Sequence, residues 1–131
     1  MKTLVVVAAL FVPGTAVADP TRLWATEPND AGNYLEVRIG PCADAADLLC
    51  GIIETARQPD GTSAPYTHLG RTIISNMAPD GANNWGDGRI WAPDDDETYR
   101  SKMELKGNVL SVAGCVVGGL ICRGQDWRRI E

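Results

Sequence analysis

The sequence predicts an all-β fold, a small antiparallel up-and-down β-barrel of about eight short strands. Three observations predict it: apolar and polar residues alternate in short segments, turn residues separate these segments at near-regular spacing, and no stretch sustains a helical period. A meander of such strands either leaves two exposed edges or closes on itself, and closure removes both edges. Because sequence does not report closure, a two-sheet sandwich is the alternative.

Alternation is clearest in residues 34–39 and 98–105, where apolar or small residues share one face and charged residues the other. Residues 41–47 predict a loop or one helical turn, because this proline, alanine and aspartate stretch does not alternate. The glycines of Gly86-Asp87-Gly88 and of Gly118-Gly119 are predicted to lie in turns. Further strands are predicted at residues 24–26, 48–54, 71–77, 89–91, 109–117 and 120–130.

Residues 1–18 predict a signal peptide that is cleaved on export. Lys2 gives a positive start, residues 4–12 are apolar but too short to span a bilayer, and residues 16–18 are the small residues that signal peptidase accepts. A buried core strand is the alternative, but a strand does not require this order. We therefore expect residues 19–131 to form a single mature domain. It should have no lipid anchor and no membrane span, since no cysteine follows the cleavage site and no later apolar run is long enough.

The four cysteines predict disulfides and an oxidising compartment outside the cytosol. Three pairings are conceivable, and proximity favours Cys42 with Cys50 and Cys115 with Cys122. Each such short loop would contribute about 2–3 kcal/mol in the chain-entropy model. A zinc site built from all four thiolates is the competing interpretation, and the spacing within each pair argues against it.

Composition argues against several classes of function. With 17 acidic and 12 basic side chains, the chain has a formal net charge of −5, which does not suit a nucleic-acid binder. His68 is the single histidine, and its turn-like segment predicts a solvated loop residue and not a general base. No nucleophile motif or nucleotide loop is present. The acidic run 94–97 lacks the spacing of a calcium loop and is typical of a charged hairpin tip. We therefore expect a protein that is not an enzyme and needs no cofactor or metal.

Four motifs occur in order along the chain: Cys42 followed by Leu49-Cys50-Gly51, the stretch 85–93, Thr98-Tyr99 with Ser101, and Gly114-Cys115 continuing to Ile130. Together they resemble the motifs of an exported bacterial family known as domain of unknown function 2147 (DUF2147). The resemblance covers essentially all of residues 19–131. It implies a calycin-type barrel, similar to lipocalins and fatty-acid-binding proteins, in a bacterial periplasm. It also implies that Trp24 on the first strand packs against Arg129 on the last.

Barrel size and family resemblance together suggest a binding function. A barrel of about eight strands either packs solid or holds one small ligand. Methionine and aromatic side chains would suit an apolar or amphipathic molecule, and an arginine could anchor its carboxylate. The candidate ligand-binding residues of the barrel interior are Trp91, Tyr99, Met103, Met77 and Arg71.

A second function is consistent with the same sequence. Trp127, like Trp24 and Arg129, is assigned a structural role, and the other aromatic residues could fill the core in the same way. The protein would then be a non-enzymatic structural or interaction protein of the bacterial envelope, with a filled barrel and a protein partner on its outer surface. A hydrolase or isomerase is the least favoured class, because one histidine without a recognisable nucleophile leaves too few catalytic groups.

Overall fold

The computed structural model describes residues 18–131 and Val5, so most of the predicted signal peptide lies outside the described residues. Eight antiparallel strands close into a barrel in chain order, with β8 pairing back onto β1. Closure confirms the predicted fold class and excludes the sandwich. Among the described residues there is no helix with the length and hydropathy of a membrane span. The strands are β1 (Arg22–Ala25), β2 (Tyr34–Pro41), β3 (Leu49–Arg57), β4 (Thr72–Pro79), β5 (Asn84–Ala92), β6 (Glu97–Lys106), β7 (Val109–Val116) and β8 (Ile121–Arg129).

The prediction of turn glycines is right for the β7–β8 connection and wrong within β5. Val117–Gly119 form a short 3₁₀ turn, whereas Gly86 and Gly88 lie inside a strand that bulges between Trp85 and Gly88. The reason is close packing: a Cβ at Gly88 would lie 2.6 Å from the Sδ of Met77 and 2.7 Å from a backbone oxygen on β4. Glycine is therefore required there by the approach of β4, and not by a change of chain direction.

The two ends of the barrel differ in what covers them. At the closed end, β1 begins and β8 ends. This end also contains residues 18–21 and the connections 42–48, 80–83 and 107–108. The open end is formed by the connections 26–33, 58–71, 93–96 and 117–120. Residues 42–48 form a loop that contains one hydrogen-bonded turn, in which the Leu48 amide donates to the Ala45 carbonyl at 3.0 Å.

A packed apolar core fills the closed end and the middle of the barrel. At the closed end, the Trp24 indole donates a hydrogen bond to the Pro20 carbonyl at 2.9 Å, and the guanidinium of Arg129 lies 4.4 Å from the ring centroid. The Trp24–Arg129 contact that the family resemblance implied is therefore present. The largest fully buried side chains are Trp24, Trp127, Ile39, Ile53, Ile74, Met77, Met103, Leu110, Val37 and Val112.

Both predicted disulfides are present, one toward each end. Cys42–Cys50 ties the β2–β3 loop to β3 at the closed end. Cys115–Cys122 joins β7 to β8 at the open end, where the two cysteines are also direct cross-strand partners. No cysteine among the described residues is free. The competing zinc interpretation is thereby excluded.

Candidate functional site

At the open end, side chains that point into the barrel are exposed to solvent. In the register of β7 and β8, Val112 pairs with Gln125, Gly114 with Arg123, and Val116 with Ile121. Val112 is part of the buried core, so strand alternation directs the residues two and four positions away to the same inner face. Val116 is nevertheless 43% exposed and Ile121 58%, and Arg123 and Gln125 are exposed as well. The core therefore ends below these residues, and their side chains are left open to solvent.

Strands β5 and β6 continue this inner surface beside β7. Ile90 pairs with Tyr99, and both are half-buried. A Cβ at Gly114 would lie 3.3 Å from Cγ2 of Ile90 and 3.5 Å from Cβ of Tyr99, so the three residues face one another across the inner surface. We call this region the upper cup. Its members are Ile90, Tyr99, Gly114, Arg123 and Gln125, with Val116 and Ile121 at the rim.

The polar groups of the upper cup are held in different ways. The Tyr99 hydroxyl donates to the Asp95 carboxylate at 2.6 Å, and this hydrogen bond raises the pKa of the phenol. The Gln125 side-chain oxygen accepts from the indole of Trp127 at 3.1 Å. Arg123 forms no ion pair with any residue of the described chain. A guanidinium that faces inward without a carboxylate partner is the group best suited to meet an anionic ligand.

Beside the upper cup, the short strand β1 borders only the last part of β8. β1 has four residues and pairs with β8 through Trp24 and Ala25. Beyond that point, the edge of β8 contacts the β1–β2 connection through the side chain of Glu27, which accepts a hydrogen bond from the backbone NH of Asp126 at 3.0 Å. A molecule could therefore reach Arg123 from above or from the side.

Trp91 and Arg71 lie together, but on the outer face of the barrel. Trp91 pairs with Thr98, whereas its neighbour Ile90 points inward, so alternation turns the Trp91 ring outward. The Arg71 guanidinium lies 3.4 Å from the centroid of this ring, and the indole donates to Asp96 at 2.8 Å. Arg71 and Asp96 also form an ion pair at 3.7 Å. Alternation thus turns the Trp91 ring away from the lumen, although the ring is buried and belongs to the same apolar cluster as Trp24 and Met77. The sequence predicted that both residues line the barrel interior as ligand contacts, and such contacts stay a prediction.

The β3–β4 loop covers the outer face of Trp91. His68 meets the ring edge-on with centroids 4.9 Å apart, and Tyr66 meets His68 at 5.4 Å. His68 is half-buried in this stack, whereas the sequence predicted a solvated loop residue. Burial raises the pKa of the Tyr66 hydroxyl. The stack fastens the loop to β5, and this accounts for the burial of Trp91.

Met77 and Met103 belong to the packed core. Both point inward, as predicted for Met103 from alternation, but both are fully buried. Of the five candidate ligand-binding residues, the structure thus brings only Tyr99 to the upper cup. Whether any of the five contacts a ligand stays a prediction.

Sequence reasoning did not assign Arg123, Gln125 or Gly114 to a binding site, although all three lie within the last of the four family motifs. A signal for them was present, because Cys115 and Cys122 lie at a spacing that fits a cross-strand pair in a tight hairpin. Pairing the two cysteines fixes the register of β7 and β8, and the register in turn assigns Arg123 to the inner face.

Two open depressions lie on the outer surface. The larger, about 770 Å³, covers β2 to β4 and is crossed by the hydrogen bond from Arg38 to Glu54 at 2.5 Å. The smaller, about 270 Å³, covers β5 to β7 and is lined by Arg89, Arg100 and Lys102. Within the described residues, histidine, cysteine, aspartate and glutamate form no group of three or more that could hold a metal ion.

Comparison with known proteins supports the fold and assigns a family. No curated protein matches the chain. A solved structure from the human pathogen Helicobacter pylori, protein HP1028, is described as belonging to the lipocalin family and superposes with a TM-score of 0.67 at 14% identity, covering 87% of this chain and 84% of that one. At such low identity, the likeness shows the fold alone. A family model described as an uncharacterized protein conserved in bacteria matches residues 23–129, and the chain therefore belongs to the DUF2147 family.

Proposed function

We propose that the protein binds a small amphipathic molecule in the upper cup, with Arg123 engaging an anionic head group. The observation that carries this proposal is the solvent exposure of inward-pointing side chains at the open end, above a core that is otherwise buried. A soluble barrel gains stability by burying such positions, so apolar residues left exposed on an inner face are best explained by a ligand that covers them.

The packed core limits how deeply a ligand can enter. Val112 and Met103 are buried directly beneath the upper cup and form its floor. The bound molecule would therefore rest one side-chain layer deep, with part of its surface in solvent. This geometry favours small or elongated amphiphiles over large apolar guests that need a closed cavity.

The chemistry of the upper cup favours an anion with an apolar body. Ile90, Val116 and Ile121 offer apolar surface, while Arg123 offers a cation that lacks a carboxylate partner. A guanidinium pairs with carboxylate, sulfonate or phosphate oxygens through charge-assisted hydrogen bonds. The lipocalin assignment of the Helicobacter pylori protein belongs to that protein and supports a barrel of this kind, without identifying a ligand.

A fluorescence titration with anilinonaphthalene sulfonate, which combines an anion with an apolar body, tests this proposal. We expect saturable binding with one site, weakened about tenfold or more by Arg123→Gln because a charged hydrogen bond is lost. Arg128→Gln is the matched control, since Arg128 lies on the same strand but faces outward. An uncharged apolar probe should bind equally to both variants. The proposal fails if no saturable binding occurs, or if both arginine variants weaken the sulfonate equally.

We further propose that the protein works in the periplasm, as a non-enzymatic exported protein, after removal of residues 1–18. The two disulfides support an oxidising compartment. Intact-mass measurement of protein recovered from the bacterial envelope checks both points. A mass corresponding to a chain that begins at Asp19 and has lost four thiol hydrogens is expected, whereas a full-length reduced chain would contradict the assignment.

A second candidate function is favoured by the burial of the core. The largest core side chains, Trp24 and Val112 among them, are fully buried, so the protein could act as an envelope interaction protein through its outer surface. Native mass spectrometry of the exported protein separates the two functions. A bound small molecule supports the upper cup, while an empty protein that co-purifies with a defined envelope protein supports the second function.

A further inference from the structure

The β7–β8 hairpin ends in an exposed apolar tip, made of Val116, Val117, Leu120 and Ile121 around two glycines. Leu120 and Val117 are the most exposed apolar residues of the tip, at 84% and 63%. Hairpin tips of soluble proteins usually carry glycine, asparagine, aspartate or serine. Val117 and Leu120, which do not belong to the upper cup, therefore need a reason other than solubility.

Turn geometry does not supply that reason. Val117 has a φ of 55°, in the left-handed region that β-branched residues strongly disfavour and that glycine or asparagine adopts more readily. The cross-strand disulfide Cys115–Cys122 closes the base of the hairpin and holds the tip in place. The chain thus keeps an apolar residue where a polar one would fit the backbone better.

A cationic surface lies next to the tip. The smaller depression on β5 to β7 is lined by Arg89, Arg100 and Lys102, and it reaches Cys115 and Gly119 at the hairpin. One acidic residue, Asp87, also lines it, and the acidic run 94–97 lies outside this depression at the same end of the barrel. Within the described chain the three cations form no ion pairs, although the whole protein is acidic.

Two of these cations oppose each other directly. Arg89 on β5 is the cross-strand partner of Arg100 on β6. Like charges in such a position repel and destabilise the strand pair. An anion bound between them would remove this repulsion.

We propose that the apolar tip docks onto an anionic lipid surface, with Val117 and Leu120 entering the interface between head groups and acyl chains. Arg89, Arg100 and Lys102 would then contact the lipid phosphates. Apolar side chains flanked by cations are the combination that binds anionic membranes peripherally. This inference does not rest on the upper cup, because it uses the outermost tip residues and outward-facing cations.

A second copy of the chain fits this surface less well. Two copies meeting tip to tip about a twofold axis would bring the same cations together. A tip of six residues is also small beside the 20–30 residues per side that a stable interface typically uses. Charge therefore favours lipid phosphate as the partner.

Flotation with vesicles tests the proposal, using phosphatidylglycerol mixed with phosphatidylcholine and phosphatidylcholine alone. We expect binding to the anionic vesicles that falls with added salt, and much weaker binding to the neutral ones. Leu120→Ser should weaken binding about tenfold. Ile130→Ser, at an apolar residue 48% exposed at the closed end, should leave binding unchanged.

Two further variants separate lipid docking from folding defects. Arg100→Gln with Lys102→Gln should weaken anionic binding by about fivefold per charge, whereas Lys106→Gln, on the same strand but at the closed end, should have little effect. Val117→Asn should bind more weakly while remaining at least as stable as the wild type, because asparagine tolerates the left-handed conformation.

The inference is overturned if the wild type does not float with anionic vesicles, or if Leu120→Ser floats as well as Ile130→Ser. It is also overturned if Leu120→Ser abolishes a concentration-dependent dimer seen without lipid by analytical ultracentrifugation. Sulfonate binding in the upper cup should be unaffected by Leu120→Ser. A failure of the lipid proposal is therefore distinguishable from a failure of the binding proposal.

Discussion

The closed and open ends of the barrel are built from the same strands, yet inward-facing residues are buried at the closed end and exposed at the open end. On β7 and β8, the inward pair Leu110 and Trp127 near the closed end is buried, while the inward pair Val116 and Ile121 at the open end is exposed. Strand alternation is continuous between them. The comparison shows that alternation decides which face a side chain joins, whereas burial depends on what covers that end of the barrel.

The course of β1 explains much of this difference. Beyond Ala25 the chain stays with β2, because Thr26 exchanges hydrogen bonds with the backbone of Leu35 through both its amide and its hydroxyl. Pro28 then cannot donate to a ladder, and the connection turns back. β8 therefore loses its neighbour halfway along. At the closed end, by contrast, residues 18–21 cross over Trp24 and cover the core.

The largest expected difference between the ends is the loss of stability when an aromatic residue is replaced by alanine. Trp24→Ala should reduce the free energy of unfolding by about 3–5 kcal/mol, because it leaves a cavity beneath Arg129 and an unpaired Pro20 carbonyl. Tyr99→Ala at the open end should cost less than about 1 kcal/mol, since the ring is half-exposed. Urea unfolding of the two variants measures this. Equal losses would show that the upper cup is as tightly packed as the closed end.

The disulfides provide the next comparison. Replacing both cysteines of either pair by serine should lower the free energy of unfolding by about 2–3 kcal/mol, because both loops are similarly short. Loss of Cys115–Cys122 should also weaken sulfonate binding in the upper cup, since it loosens the hairpin that carries Arg123. Loss of Cys42–Cys50 should leave that binding intact. If removal of Cys42–Cys50 weakens sulfonate binding as strongly as removal of Cys115–Cys122, then the two ends are coupled.

Two glycines allow a milder test of packing. Gly88→Ala should destabilise the protein by about 1–3 kcal/mol, because the new methyl group would meet Met77 and the backbone of Ser75 below 3 Å. Gly114→Ala should change stability by less than about 1 kcal/mol, since its nearest contact, at 3.3 Å, is a side-chain methyl of Ile90. It should nevertheless weaken sulfonate binding, because the methyl group enters the upper cup. Thermal unfolding measures the stability change of each variant, and the sulfonate fluorescence titration measures its binding.

The same comparison explains what the sequence could predict. Residues 98–105 alternate strictly, and their strand, its inner face and the burial of Met103 all follow from that pattern. Proximity in sequence predicts the two cysteine pairs. The family resemblance predicts the Trp24–Arg129 contact. The strand and the cysteine pairs depend on patterns that a single chain segment carries, whereas the Trp24–Arg129 contact joins the two ends of the chain and was available only from the family resemblance.

The candidate site could not be predicted in the same way. The predicted strand 89–91 was too short to assign the face of Trp91, because the bulge between Trp85 and Gly88 resets the alternation. The exposure of Arg123 depends on where β1 leaves β8, which no residue near Arg123 reports. Such features arise from contacts between distant segments.

The smallest expected effects are pH dependences, and they lie on opposite sides of neutrality. The hydrogen bond from Arg38 lowers the pKa of Glu54, so its stabilisation is present above the unfolded pKa of the carboxyl and is lost as the pH falls through the folded one. For this largely exposed pair the effect should stay below about 1 kcal/mol. At the open end, the bond to Asp95 raises the pKa of Tyr99, so that stabilisation is present below the unfolded pKa and is lost as the pH rises through the folded one.

Both pH dependences can be measured by urea unfolding of the wild type, Glu54→Gln and Tyr99→Phe over a range of pH. The wild-type advantage over Glu54→Gln should shrink only on the acid side, and its advantage over Tyr99→Phe only on the alkaline side. If Tyr99→Phe instead matches the wild type throughout, the bond to Asp95 contributes nothing to the fold. The Tyr99 hydroxyl would then be free to turn toward a ligand in the upper cup, and Tyr99→Phe should weaken sulfonate binding without changing stability.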